Sequence, residues 1–185
     1  MTTAVAEKHT WSARDMAYIA VMAALIAVCS WISIPTTVPF TLQTFGVFLA
    51  VGLLDGKRGS IAVLIYILLG AVGLPVFAGF SGGVGILLGT TGGYIIGFLG
   101  SALVYWAITA RLGTKPVVMA VAMVLGLIVC YAFGTAWFMG VYAKNAGAVG
   151  LMTALGWCVF PFIIPDLCKI ALAMGLSSRL ARHVK

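Results

Sequence analysis

The property that most narrows the folding options of this chain is the length of its uncharged stretches. Six apolar runs occupy most of the 185 residues, at about Met16 to Ile34, Phe40 to Leu54, Ser60 to Phe77, Gly93 to Leu112, Val117 to Val141 and Leu151 to Leu176. A helix needs about 20 apolar residues to cross the hydrocarbon core of a bilayer, and most of these runs approach or exceed that length. Charged residues make up 8% of the chain and the mean hydropathy is +1.16, which excludes an ordinary soluble globule. The expected fold is an all-α integral membrane protein of six transmembrane helices, because helices satisfy their own backbone where water is absent. The second run is short for a full span and is expected to thin the bilayer or to begin within the preceding loop. A polar start over residues 1–13 precedes a membrane domain at 14–178, and a basic tail at 179–185 closes the chain. The first run leads to Trp31 and Pro35 with no small-residue cleavage site, so it reads as a span and not as a signal peptide.

Charge gives the orientation. Lys8, Arg14, Lys57, Arg58, Arg111, Lys115, Arg179, Arg182 and Lys185 fall at alternate ends of the runs, and Lys144 alone falls at the opposite side. Cytoplasmic loops carry the excess of lysine and arginine, so both termini are expected in the cytoplasm. Trp31, Trp137 and Trp157 near one interface, with Trp11 and Trp106 near the other, agree. The formal charge of +7 is not gathered into an aromatic-interleaved patch, so no nucleic-acid partner is expected. Cys29, Cys130, Cys158 and Cys168 show no C-x-x-C spacing and read as buried, reduced core residues.

The connections between runs are short. Pro35 and Pro39 break the chain after the first run, and residues 55–59 form a tight polar turn. The external connection between helices 3 and 4, residues 78–92, is glycine-rich yet apolar enough to fold back on the bundle. No Gly-Lys-Ser/Thr follows these glycines, so they do not form a phosphate cradle.

The chemistry is concentrated in one place. His9 and His183 lie in the tails, the acidic residues are dispersed, and no metal or cofactor motif is present. A Ser81 nucleophile would have no histidine base, which argues against an enzyme. The last run, by contrast, contains Pro165-Asp166-Leu167-Cys168-Lys169. Asp166 and Lys169 share one helical face, and an ionisable residue within the membrane is by default a functional-site hypothesis. Pro165 favours a helix start or a kink there. Thr41, Gln43, Thr44, Ser81, Thr90, Thr91 and Tyr94 stand toward the outer side and are able to converge with the pair on a mostly apolar pocket. Ala20 and Ala24, four apart, permit close approach of a helix, either within the bundle or from a partner.

In combination and order, four segments resemble the biotin-specific S components of energy-coupling factor (ECF) transporters, the BioY family. They are Val38 to Gly46, Gly70 to Phe77, Gly89 to Tyr94 and Pro165 to Lys169, and the likeness extends over about residues 17–175. The resemblance implies a prokaryotic plasma-membrane protein with an external biotin pocket. Its implied partners are a membrane T component and two cytoplasmic ATPases, which would topple it in the membrane. It implies that Asp166, Lys169, Gln43, Ser81, Gly83, Tyr94 and Phe45 contact biotin and that Ala20 and Ala24 face the T component. Asp166 would accept a ureido N–H and Lys169 donate to a ligand oxygen. Where relatives carry Gly-Pro, an Asn and an Arg, this chain has Gly89-Thr90, Ser81 and Ile95, which leaves Lys169 as the cation at membrane depth. The residues by themselves equally allow another vitamin or a self-sufficient small-solute carrier.

Overall fold

The computed structural model describes residues 11–184, and most of that is helix. α1 (Ala13–Trp31) begins where two side chains satisfy the first turn. The Ser12 hydroxyl accepts the Asp15 amide at 3.1 Å, and the Asp15 carboxylate accepts the Ser12 amide at 3.2 Å, a capping box. Most of the expected polar start, residues 1–10 with His9, lies outside the described residues. Pro35 and Pro39 do more than end the first run. Neither can donate to a ladder, and the chain pairs just outside them: β1 (Ser33–Ile34) runs antiparallel to β2 (Phe40–Thr41), with Ser33 opposite Thr41.

α2 (Gln43–Leu54) and α3 (Gly56–Ala71) are separated by a single residue, Asp55, whose φ of 110° is uncommon for any residue but glycine. The polar turn expected over 55–59 therefore narrows to one position, and the rest is the first turn of α3. The Asp55 carboxylate caps that turn, accepting the Arg58 amide at 2.9 Å and Arg58 Nε at 2.7 Å. Arg58 also reaches Asp15 on α1 at 2.5 Å, tying three helices together at this end. At the other end, the glycine-rich segment does fold back, as a 3₁₀ turn at Ala78–Phe80 and a short helix α4 (Val84–Leu88).

α5 (Gly92–Leu112) and α6 (Pro116–Ala146) pack against each other, with Pro116 at the first helical position of α6, where its missing donor is harmless. α7 (Leu151–Cys158) and α8 (Phe160–Val184) part at Val159. Pro165 does not start a helix. It lies inside α8, and Pro161, second in that helix, occupies the tolerant position instead. α8 continues past residue 179, so the expected basic tail is helical as far as Val184. Of the four cysteines, Cys29, Cys130 and Cys158 are buried and free, but Cys168 is free and exposed. It lies two residues beyond inward-facing Asp166, about 200° around the helix, and so points outward.

Four segments are long and apolar enough to cross a membrane: Ala13–Trp31, Gly92–Leu112, Pro116–Ala146 and Leu151–Arg182. The two helices of the expected six that miss this measure are α2 and α3, about 18 and 24 Å long against a core of about 30 Å. For α2 the reason is its surroundings, since ten of its twelve residues are buried. A helix apolar on every side belongs inside a bundle, where it meets protein and not lipid. The outer surface carries Val21, Leu68, Val121, Ile164 and Leu172, each at least half exposed, as suits a hydrocarbon solvent. Tryptophans mark both ends: Lys57 sits over Trp11, while Trp31 Nε1 donates to Pro75 O and Trp137 Nε1 to Gly89 O at the loop end.

Candidate functional site

Asp166 and Lys169 turn inward from one face of α8 and are 3% and 5% exposed, so neither charge has access to bulk solvent. Lys169 Nζ lies 2.7 Å from Asp166 Oδ1. The ammonium also donates to the backbone carbonyl of Thr41 at 2.7 Å and stands 4.3 Å from the centre of the Phe40 ring. The second carboxylate oxygen, Asp166 Oδ2, accepts the Tyr131 hydroxyl at 2.6 Å. The pair is thus compensated three ways, by opposite charge, by hydrogen bonds and by an aromatic face. It is not exhausted. A carboxylate offers about four acceptor sites and an ammonium three donors, and two of each are engaged here.

Beside the pair lies a cavity of about 200 Å³. Its walls come from the β1–β2 hairpin and α2 on one side, the residue 77–81 segment and α4 above, and α5, α6, α7 and α8 around the rest. Asp166 stands 18 residues before the end of α8, about 27 Å along the axis. The cavity is therefore at the loop end of the bundle, under the glycine-rich segment and the hairpin.

Of the residues singled out from sequence, Gln43, Ser81, Tyr94, Asp166 and Lys169 line this cavity, and so do Thr41, Thr44 and Thr91. Gln43 Nε2 donates to the Tyr66 hydroxyl at 2.8 Å, which leaves the amide carbonyl and the second N–H to offer a ligand. The Tyr94 hydroxyl bonds Thr135 Oγ1 at 2.9 Å. Its ring is seated on Gly134, where any Cβ would come within 2.2 Å of the ring. Ser81 donates to Ala78 O at 2.8 Å, closing the loop on itself.

Three expected residues are elsewhere. Phe45 is half-buried on α2 and is not in the lining, because Gln43 and Thr44 already turn that helix toward the cavity and Phe45 lies about 200° around from Gln43. The aromatic walls are Phe77, Phe98 and Phe162 instead. Gly83 is not in the lining either: at φ +95° it precedes α4, and its amide donates to Gly70 O at 2.7 Å, so it shapes the loop. Thr90 also stays outside the lining. Ala20 and Ala24 are on the exposed face of α1, while Ala23 and Ala27 on the other face are buried. The bundle-contact alternative therefore applies to Ala23 and Ala27 and not to Ala20 and Ala24.

Sequence reading missed Tyr131, the second partner of Asp166, and the Thr41 carbonyl. Tyr131 carried a signal: its hydroxyl stands four residues from that of Thr135, on one face of an otherwise mostly apolar helix. A main-chain carbonyl carries none. Ile95, where relatives were expected to bear a cation, is buried in the lining, and Lys169 is the one cationic side chain in the wall among the described residues.

A sequence model described as the BioY family matches residues 2–185. The biotin transporter BioY of Thermotoga maritima is 39% identical over 170 residues, which is 91% of this chain and 96% of that protein. A probable biotin transporter BioY of Pyrococcus horikoshii is 41% identical over 169 residues, 91% of this chain and 96% of the relative. The biotin transporter BioY of Rhodobacter capsulatus is 40% identical over 182 residues, 92% of this chain and 94% of the relative. Among solved structures, the S-component for biotin from an ECF-type ABC transporter superposes with a TM-score of 0.82 at 28% identity, over 97% of this chain and 95% of that one.

Proposed function

The chain belongs to the BioY family, and on that premise we propose that it captures biotin in the cavity beside Asp166 and Lys169 and carries it across the membrane as the S component of an ECF-type transporter. The observation that carries this reading is the buried ion pair itself, which keeps about two acceptor sites and one donor unspent beside a cavity of about 200 Å³. A fused ureido ring offers two N–H donors and one carbonyl in a rigid plane. Asp166 accepts one N–H, Lys169 directs its remaining donor to the ligand oxygen, and both bonds are charge-assisted. Gln43 and Ser81 supply further polar contacts, and Tyr94 with Phe98 and Phe162 packs the bicyclic ring. Among the described residues the wall has no second cation, so the valerate carboxylate lies toward the loop end, where backbone amides and water can solvate it.

The protein is a six-span membrane domain of a prokaryotic plasma membrane, over residues 14–178, with α2 and α3 as its two short spans. Both termini, with the Arg58 cluster, are cytoplasmic, and the glycine-rich segment is external. This assignment follows from nine basic residues at one set of helix ends against Lys144 at the other. Ala20 and Ala24 meet the membrane T component, and two cytoplasmic ATPases supply the energy, since the chain has no nucleotide-binding loop. The protein is a binding and transport subunit, as its relatives' transporter names suggest, and not an enzyme.

The direct test is titration of the detergent-purified chain with labelled biotin, with thiamin and riboflavin as competitors. Saturable binding displaced by unlabelled biotin alone is expected. Displacement by another vitamin at lower concentration would assign the cavity to that vitamin. Uptake in cells lacking the T component and ATPases would make the chain a self-sufficient carrier.

A further inference from the structure

Tyr131 stands where two hollows meet. Its side chain and that of Leu127, one turn earlier on α6, line the cavity beside Asp166 and also a second hollow. The second is a groove of about 610 Å³ between α6 and the α7–α8 pair. Its wall is aliphatic apart from Tyr131 and Thr135, and the Thr135 hydroxyl is taken up by Tyr94. Ile128, Leu151 and Leu167 in that wall are exposed, so the groove is open on the outer side, the side that hydrocarbon covers in a membrane-spanning chain. Tyr131 itself is half-buried, and its hydroxyl is bonded to Asp166 Oδ2 at 2.6 Å.

We propose that Tyr131 is a specificity-determining partition: its ring closes the ligand cavity against the bilayer, and its hydroxyl holds the Asp166 carboxylate in position for the ligand. This rests on the biotin reading of the cavity given above. The argument is one of chemistry. If the two hollows were joined, lipid chains would compete with the ligand, and the ion pair would face hydrocarbon, where an exposed charge is costly. Few side chains can present an apolar face to one hollow and a donor to the other, and tyrosine is one of them. Phenylalanine at this position would keep the wall and lose the hold. Alanine would lose both and join the cavity to the groove. The ring also sets which ligands fit, since an apolar group projecting from the ureido end toward Asp166 would strike it.

The test uses the purified full-length chain with Tyr131→Phe and Tyr131→Ala, titrated with biotin and with the two isomers of biotin benzylated on one ureido nitrogen. Each isomer keeps one N–H for Asp166. Wild type is expected to bind biotin and reject both isomers. Tyr131→Phe should bind biotin about tenfold more weakly, the loss of one hydrogen bond to a charged group, and still reject both. Tyr131→Ala should bind biotin more weakly still and admit at least one isomer, inverting the preference. Tyr131→Leu, which retains apolar contact with α8, should give the same inversion and serves where the alanine variant does not fold. The inversion is the decisive readout, because loosened packing would weaken all ligands alike. Rejection of both isomers by the folded alanine or leucine variant would overturn the partition, as would their admission by Tyr131→Phe. Failure of wild type to bind biotin would instead overturn the function reading, and the specificity role with it.

Discussion

Removing Lys169 alone and removing its charge together with that of Asp166 should have different consequences for stability but the same consequence for binding. The pair is 2.7 Å apart and about 95% excluded from solvent. At an effective dielectric of about 20, unit charges at that distance attract by about 6 kcal/mol before desolvation is counted. Lys169→Met therefore strands a carboxylate that retains the Tyr131 hydroxyl alone, and breaking a buried pair from one side typically costs about 3–5 kcal/mol. In the double variant Asp166→Asn with Lys169→Met no net charge is left buried. Asn can still accept from Tyr131, and Met fills the space along Phe40. Most of the lost stability should return, because replacing both members of a buried pair is often close to neutral. Affinity should not return. Each charge-assisted contact to the ligand is worth about 1.5–3 kcal/mol, so the double variant should bind biotin at least about a hundredfold more weakly than wild type. Thermal unfolding in detergent and biotin titration on the same preparations read the two quantities. A double variant as unstable as Lys169→Met would refute the charge-compensation argument. A double variant with unchanged affinity would show that the pair is only a structural staple.

Other substitutions probe separate parts of the molecule. Ala20→Leu with Ala24→Leu alters the exposed face of α1, so biotin binding by the purified chain should be unchanged while uptake in cells carrying the complete transporter is lost; intact uptake would reject that face as the T-component contact. Gly134→Ala puts a methyl group where the Tyr94 ring now rests, at 2.2 Å, so it should cost about 1–3 kcal/mol in stability and weaken biotin binding through the displaced ring, as read by the same two assays. Arg58→Met cuts the links to Asp15 and Asp55, but these side chains are 21–42% exposed, so unfolding temperature should fall only slightly and biotin affinity not at all.

The parts of this molecule that could be read from its residues are those governed by solvent and by spacing. Apolar runs locate the helices because hydrocarbon imposes one demand on every turn. Asp166 and Lys169 were conspicuous because ionisable groups are rare in such runs, and their three-residue spacing already put them on one face. Gln43 and Tyr94 came with them as polar groups at the outer side of their runs, and family resemblance named them again. What escaped depends on tertiary context. The shortness of α2 is intelligible only once α2 is seen wrapped by its neighbours. The outward turn of Cys168 depends on which face of α8 holds the ion pair, and nothing in four scattered cysteines reveals that. Pro165 marks no helix start, because the chain makes its break six residues earlier, at Val159. Phe45, which the resemblance implies as a contact, stays out of the lining because a helix turning 100° per residue carries it away from Gln43.

The bond from Lys169 to the Thr41 carbonyl gives the hairpin an unusual kind of constraint. A main-chain oxygen is indifferent to the side chain it accompanies, so exchanging Thr41 for another residue leaves the mooring intact. Its location is set by arithmetic along the chain: two prolines and the residues between them decide where that oxygen arrives relative to α8. Deleting one residue from positions 35–39 would swing it aside and leave a buried ammonium short of an acceptor. For this stretch the number of residues matters more than their identity.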